Sequence, residues 1–180
     1  MIFLWGTKRG PYSSWRAVSG CVPDEYCFEV YIYSIPMYDP LLVQPMREEL
    51  TRIGFVEVRT PAEVDAALTK PGSTLLVVNS VCGCAAGSAR PGIAQSLRHT
   101  SVPDNLVTVF AGQDKEATQY IRDTYLKNVP PSSPSIALFR DGNLIGVVHR
   151  HMIEGRFPEA IAQMLTNAYD EFCAPAASAE

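Results

Sequence analysis

The stretch Thr74-Leu75-Leu76-Val77-Val78-Asn79-Ser80-Val81-Cys82-Gly83-Cys84-Ala85 decides how this chain is read. Thr74 to Asn79 is a continuous aliphatic and β-branched run with no polar alternation, the pattern of a strand buried on both faces. Ala85 to Arg98 is rich in Ala, Leu and Gln and predicts a helix, kinked partway by Pro91-Gly92. Two thiols one residue apart therefore fall where a central strand hands over to its helix.

Upstream, Asp39-Pro40 is a cap followed by proline at the first helical position, and Leu42, Met46, Leu50 and Ile53 recur on one face. This predicts a helix over roughly 40–52, bent or delayed at Pro45. Phe55-Val56-Glu57-Val58 is a short strand. Thr60-Pro61-Ala62-Glu63 is a capping box with proline at its first helical position, starting a helix that carries Val64, Ala67 and Leu68 inward and ends near Lys70-Pro71-Gly72. Downstream, Leu106–Phe110 predicts a strand, and Gln113–Lys127 a helix with Ala117, Tyr120, Ile121 and Tyr125 on its inner face. Ser135–Arg140 and Leu144–His149 flank Asp141-Gly142-Asn143, a strong signal for a tight antiparallel hairpin. A last amphipathic helix carries Phe157, Ile161, Met164, Leu165, Ala168 and Phe172.

The order α-β-α-β-α-β-α-β-β-α implies an α/β fold: parallel βαβ units, then an antiparallel hairpin and a closing helix, in one mixed central sheet with helices on both faces. That is a thioredoxin-like arrangement. Its domain should span 37–173, followed by a tail over 174–180. Residues 1–36 lack helical or strand period apart from Cys27-Phe28-Glu29-Val30-Tyr31-Ile32-Tyr33, and Met37 could itself be a start. We expect this extension to be an accessory hairpin, a disordered tail or a mis-called start.

The composition is that of an ordinary globular protein, with 47% hydrophobic and 19% charged residues in a chain of 180. Fifteen basic against nineteen acidic residues, with no basic run, argue against nucleic acid as a partner. No stretch is long and apolar enough to span a bilayer, and Thr7, Lys8 and Arg9 interrupt the apolar start before it can form a signal peptide. The five cysteines, at 21, 27, 82, 84 and 173, are odd in number and irregular in spacing. That fits a reducing cytoplasm better than a secreted disulfide framework.

Cys82 should gain most from the unpaired N–H groups and positive end of the following helix, which lower a thiol's pKa and raise its thiolate fraction. Gly83 brings backbone close to a partner and lets Cys84 reach a mixed disulfide on Cys82. A disulfide across a single residue closes a small ring with unfavourable torsions, so the pair suits exchange or isomerisation better than deep reduction. Ser133-Pro134, just before the hairpin strand, occupies the place where a thioredoxin-like sheet holds a cis-proline against its cysteine. Asn79 and Ser80 are candidates for orienting the loop. Arg150 and His151 could cap a helix or sit beside the thiols, with a surface role expected for both, and Cys173 ends the last helix as a partly buried spectator or a second resolving thiol. Two other readings remain open. Cys82 and Cys84 could be buried small hydrophobes in a non-catalytic interaction protein. They could also be metal ligands completed by Cys173, His149 or His151, although paired ligand motifs at zinc spacing are missing.

Val77-Val78-Asn79-Ser80-Val81-Cys82-Gly83-Cys84-Ala85-Ala86-Gly87, Ala89-Arg90-Pro91, Thr108-Val109-Phe110-Ala111-Gly112-Gln113-Asp114-Lys115-Glu116-Ala117-Thr118 and Pro131-Ser132-Ser133-Pro134-Ser135 closely resemble the bacilliredoxin family of bacterial thioredoxin-like proteins. Val43-Gln44-Pro45-Met46-Arg47, Arg150-His151 and Ile153-Glu154-Gly155 add to the likeness, which runs from 37 to about 173. The resemblance implies a thiol-disulfide oxidoreductase, without a bound cofactor, that removes a low-molecular-weight thiol, bacillithiol or an equivalent, from mixed disulfides on proteins. It also implies weak disulfide isomerase activity. Cys82 would then attack and carry the small thiol as a transient covalent adduct, and Cys84 would resolve it. Cys173 matches a C-terminal family cysteine of unassigned duty. The partners would be thiolated client proteins, the small thiol, and an external reductase or thiol reductant.

Overall fold

A computed structural model describes residues 37–173; the leading segment with Cys21 and Cys27, and the tail 174–180, lie outside the described residues. The elements are α1 (Pro40–Thr51), β1 (Val56–Glu57), α2 (Pro61–Leu68), β2 (Ser73–Asn79), a π-helical turn (Ala85–Ala89), α3 (Arg90–Ser96), β3 (Asn105–Phe110), α4 (Lys115–Thr124), β4 (Ser135–Arg140), β5 (Asn143–Val148), α5 (Arg150–Ile153) and α6 (Pro158–Phe172). The five strands form one sheet in the order β1-β3-β2-β4-β5. β1, β3 and β2 run parallel, and β4 and β5 are antiparallel to their neighbours.

The apolar run becomes the central strand because both of its faces are covered. Leu75 and Val77 join Leu50, Ile93, Ile161 and Leu165 on one side of the sheet. Leu76 and Val78 join Val64, Leu68, Ala117 and Ile121 on the other. All seven residues of β2 are buried. Pairing Val77 with Thr108 on one side and Ile136 on the other fixes the register that carries Asn79 and the following loop to one end of the sheet.

Local chemistry sets the boundaries. Asp39 accepts from the Leu41 N–H at 2.8 Å and starts α1. Thr60 and Glu63 form the reciprocal capping box that starts α2. Asp141 and Gly142 adopt φ of 50° and 77°, the left-handed pair that a two-residue hairpin turn requires.

The structure corrects four expectations. Helix α1 runs through Pro45 without a break: the carbonyl that proline leaves without a donor belongs to Leu41, which is 82% exposed and open to water. Its inward face is Val43, Arg47 and Leu50, with Leu42 outside. Arg47 is buried because its guanidinium grips Asp114 through two hydrogen bonds of 2.9 Å and Glu57 through one of 2.7 Å, above the Phe110 ring. Beyond Cys84, the irregularity is a π turn before Pro91 instead of a kink at Pro91-Gly92. Proline cannot donate to the carbonyl four residues back, and the wider turn, closed by the Arg90 N–H to the Ala85 carbonyl, accommodates this. In α6, Phe157 is 79% exposed as the residue before the helix, and Tyr169 is buried, its hydroxyl 3.1 Å from that of Ser96.

Helix α3 lies tightly on α6 at Gly92. A Cβ there would come within 2.7 Å of the Ile161 Cβ and 2.8 Å of the Pro158 carbonyl oxygen. This close approach sets the helix that follows the two thiols. Among the described residues no helix is long and apolar enough to cross a membrane.

Candidate functional site

β2 ends at Asn79, whose side chain ties the strand end to its surroundings. Its Nδ2 donates to the Met46 carbonyl at 3.0 Å, and its Oδ1 accepts from the Ser80 N–H at 2.9 Å. The same Oδ1 and the Ser80 carbonyl each accept from Arg90 at 3.2 Å. The Arg90 side chain is 3% exposed and is held from the other side by Glu49 at 2.7 Å. The loop before Cys82 is thus fixed from two helices, α1 and α3.

Two donors converge on the Cys82 sulfur: the Ser80 hydroxyl and the Ala85 N–H, each 3.3 Å from Sγ. The Ala85 and Ala86 N–H groups also donate to the Cys82 carbonyl, which starts the helical turn. Burial opposes the Cys82 thiolate, but donation from the Cys84 thiol, the Ser80 hydroxyl and the Ala85 N–H, with the Arg150 charge, outweighs it and holds the thiol below its ordinary value. Cys84 moves the other way: burial, the hydrogen bond to Cys82, and the Cys82 and Glu154 charges push it up against Arg150. Cys82 and Cys84 are not bonded to each other in the structure. The two neighbouring thiols are thus shifted in opposite directions.

The Ser133-Pro134 peptide is cis, and Ser133 lines a cleft of about 270 Å³ together with Ser80, Cys82, Tyr38, Arg122 and Arg150. Pro134 is buried. Gly83 is exposed, and nothing among the described residues lies within 4 Å of where its Cβ would be. The space over it is open to whatever approaches the thiols.

The structure thus brings Cys82, Gly83, Cys84, Ser80 and Ser133 together. Cys173 is elsewhere: it is buried beside Ser73 at the start of β2, about 20 Å from Cys82 along a seven-residue strand. Burial pushes its thiol up, and Asp104 adds to this against Ser73 and Arg140. Within one molecule Cys173 therefore cannot reach an adduct on Cys82. Among the described residues no three or more His, Cys, Asp and Glu side chains converge as a metal-holding set. His149 and His151 stack on each other at 5.5 Å.

Arg150 is exposed, as expected, and also lines the cleft. Sequence reasoning missed Arg122 and Tyr38, which reach the cleft from α4 and from just before α1, and Arg90 behind it. Only Arg90 left a trace, as a charged residue inside an Ala-rich segment.

A sequence profile of the family described as disulphide isomerase matches residues 38–173. The bacilliredoxin of Geobacillus kaustophilus is 50% identical over 80% of this chain and 98% of its own length. That of Cytophaga hutchinsonii is 54% identical over 75% of this chain and 99% of its own. A solved structure with a thioredoxin fold superposes with a TM-score of 0.50 at 15% identity, covering 62% of this chain and 94% of that one.

Proposed function

The chain belongs to the bacilliredoxin family and is a thiol-disulfide oxidoreductase with a thioredoxin-like fold, and from that premise we propose that it strips a low-molecular-weight thiol, bacillithiol or an equivalent, from client proteins. The observation that carries this reading is the convergence of the Ser80 hydroxyl and the Ala85 N–H on the Cys82 sulfur, at the mouth of the Ser133 cleft. Those donors favour a thiolate at neutral pH, the reactive form in exchange.

In the first step the Cys82 thiolate attacks the small-thiol sulfur of the mixed disulfide. A Cys82–small-thiol disulfide forms, and the client leaves as a thiolate that takes a proton from solvent. Besides burial, the negative charge on Cys82 and the hydrogen bond that Cys84 donates to it push the Cys84 thiol up. Once Cys82 is in a disulfide, both effects vanish and Cys84 ionises more readily. Its thiolate then attacks Cys82 Sγ, the small thiol departs with a proton, and a Cys82–Cys84 disulfide remains. The client disulfide has been reduced by two electrons and the cysteine pair oxidised by two. An external reductase or thiol reductant closes the cycle, and the setting we propose is a reducing cytoplasm, in keeping with the odd number and irregular spacing of the cysteines. Weak isomerase activity is part of the proposal, supported by the description of the matched family and by the open approach over Gly83.

The test is stoichiometric. The reduced protein, mixed with one equivalent of a client carrying bacillithiol, should release one equivalent each of client thiol and small thiol while losing two hydrogens from its own mass. Release of the client thiol without release of the small thiol would refute the resolving step assigned to Cys84.

A further inference from the structure

The cleft beside Cys82 carries charge that thiol exchange does not itself require. Arg122 from α4 and Arg150 from the start of α5 both line it, and among the described residues no aspartate or glutamate does. Arg150 already has a partial partner in Glu154 at 3.3 Å, and it acts on both thiols through its charge. Arg122 differs from most other arginines. Arg47, Arg52, Arg59, Arg90, Arg140 and Arg150 each have a carboxylate within salt-bridge distance, whereas among the described residues Arg122 has none. It is nevertheless half-buried at the cleft wall. A guanidinium that loses part of its hydration without gaining an anion is incompletely satisfied, and its fork of donors matches a carboxylate.

The size of the cleft limits what that anion can be. About 270 Å³ is slightly below the roughly 300–1,000 Å³ of sites that enclose drug-sized ligands, so it fits a small metabolite-sized group. During the first exchange step the group bonded to Cys82 is the small thiol, whose substituents must occupy the space around Sγ.

We infer that Arg122 and Arg150 make this cleft an anion-selective subsite that accepts the small thiol of a mixed disulfide by an anionic group and disfavours neutral and cationic thiols. This rests on the proposed function and adds to it the residues that select the thiol by its charge. Arg122 supplies the selecting charge. Arg150 divides its charge between that anionic group and the Cys82 sulfur, so Arg122 is the cleaner place to probe selection.

The test uses the full chain with Cys84→Ser, so that exchange stops at the Cys82 adduct, and three symmetrical disulfides of similar size: dithiodipropionate (anionic), 2-hydroxyethyl disulfide (neutral) and cystamine (cationic). In each case the Cys82 thiolate displaces one thiolate and keeps the other half. Reactions are run at low ionic strength and the Cys82 adduct is followed by peptide mass mapping, which separates it from the other cysteines. Each disulfide is compared with itself before and after Arg122→Gln, which cancels intrinsic leaving-group differences. The expected result is that the substitution slows dithiodipropionate about three- to tenfold relative to 2-hydroxyethyl disulfide and raises cystamine relative to it. Arg122→Lys should recover much of the anionic preference, and salt should erode it. A change by one common factor across all three disulfides, or no change in their ratios, would overturn the inference while leaving the oxidoreductase reading intact. Failure of Cys82 to react with any of the three in the parent would overturn both.

Discussion

Replacing Ser80 by Ala removes one donor from the Cys82 sulfur and little else. The Ser80 backbone stays anchored, because its N–H donates to Asn79 at 2.9 Å and its carbonyl accepts from Arg90 at 3.2 Å, neither of which involves the hydroxyl. What is lost is the Ser80 hydroxyl, 3.3 Å from Sγ. A hydrogen bond to a charged group is worth about 1.5–3 kcal/mol where water is kept out. Cys82 faces an open cleft, so water can partly replace the donor, and we reduce this to about 1 kcal/mol. Since about 1.4 kcal/mol is a factor of ten, the thiolate population below the thiol's midpoint should fall roughly fivefold. The assay is iodoacetamide alkylation across pH, with Cys82 read by peptide mass mapping so that the other cysteines do not interfere. The profile should move to higher pH, with the high-pH plateau kept or slightly raised, since a more basic thiolate is more nucleophilic. An unmoved profile, or one displaced to lower pH, would refute the claim that the Ser80 hydroxyl stabilises the thiolate.

Other substitutions probe the frame behind the site. Gly92→Ala places a Cβ 2.7 Å from Ile161 and 2.8 Å from the Pro158 carbonyl, and backbone cannot yield easily there; urea unfolding should show a loss of about 2–3 kcal/mol. Arg90→Met should cost about 2 kcal/mol by the same measure, because the Ser80 carbonyl loses its donor and Asn79 Oδ1 one of two. Glu49→Gln, at the half-exposed end of that pair, should cost well under half as much. Asp104 is held below the usual carboxylate range by the Ser73 N–H and hydroxyl, both donating at 2.7 Å, against partial burial. A depressed folded value gives stability that is present above the unfolded value of about 3.9 and lost as pH falls through the folded one. Asp104→Asn should therefore lower the urea midpoint at neutral pH, with the gap to the parent closing in strong acid.

What could be read from the sequence was what neighbouring residues decide among themselves. Asp39-Pro40, Thr60 with Glu63, and Asp141-Gly142 each act within four residues, and each sets a boundary in the structure. β2 was legible because helices on both sides of the sheet demand an unbroken apolar run. The placement of Cys82 at a strand end and the cis bond at Ser133-Pro134 followed from the element order. The missed features depend on partners distant in sequence. Arg47 is buried because Asp114 lies 67 residues away in sequence but within 2.9 Å in space, and Arg90 because Glu49, 41 residues earlier, meets it at the edge of the core. Arg122 looked like an ordinary polar-face residue of α4, and nothing within its own helix shows that the wall it reaches belongs to the Cys82 cleft. Phe157 and Leu42 satisfied the helical period yet stand outside, since period alone does not say which side of the stripe the sheet takes.

The central claim is that Cys82 alone attacks and carries the small thiol. It is tested most directly by mixing the Cys84→Ser variant with a client protein bearing a bacillithiol mixed disulfide and mapping the adduct by peptide mass spectrometry. The account predicts stoichiometric transfer of the small thiol to Cys82, with the client thiol released and no adduct at Cys173, which is buried about 20 Å away. An adduct on Cys173, or a client left thiolated with Cys82 free, would contradict it.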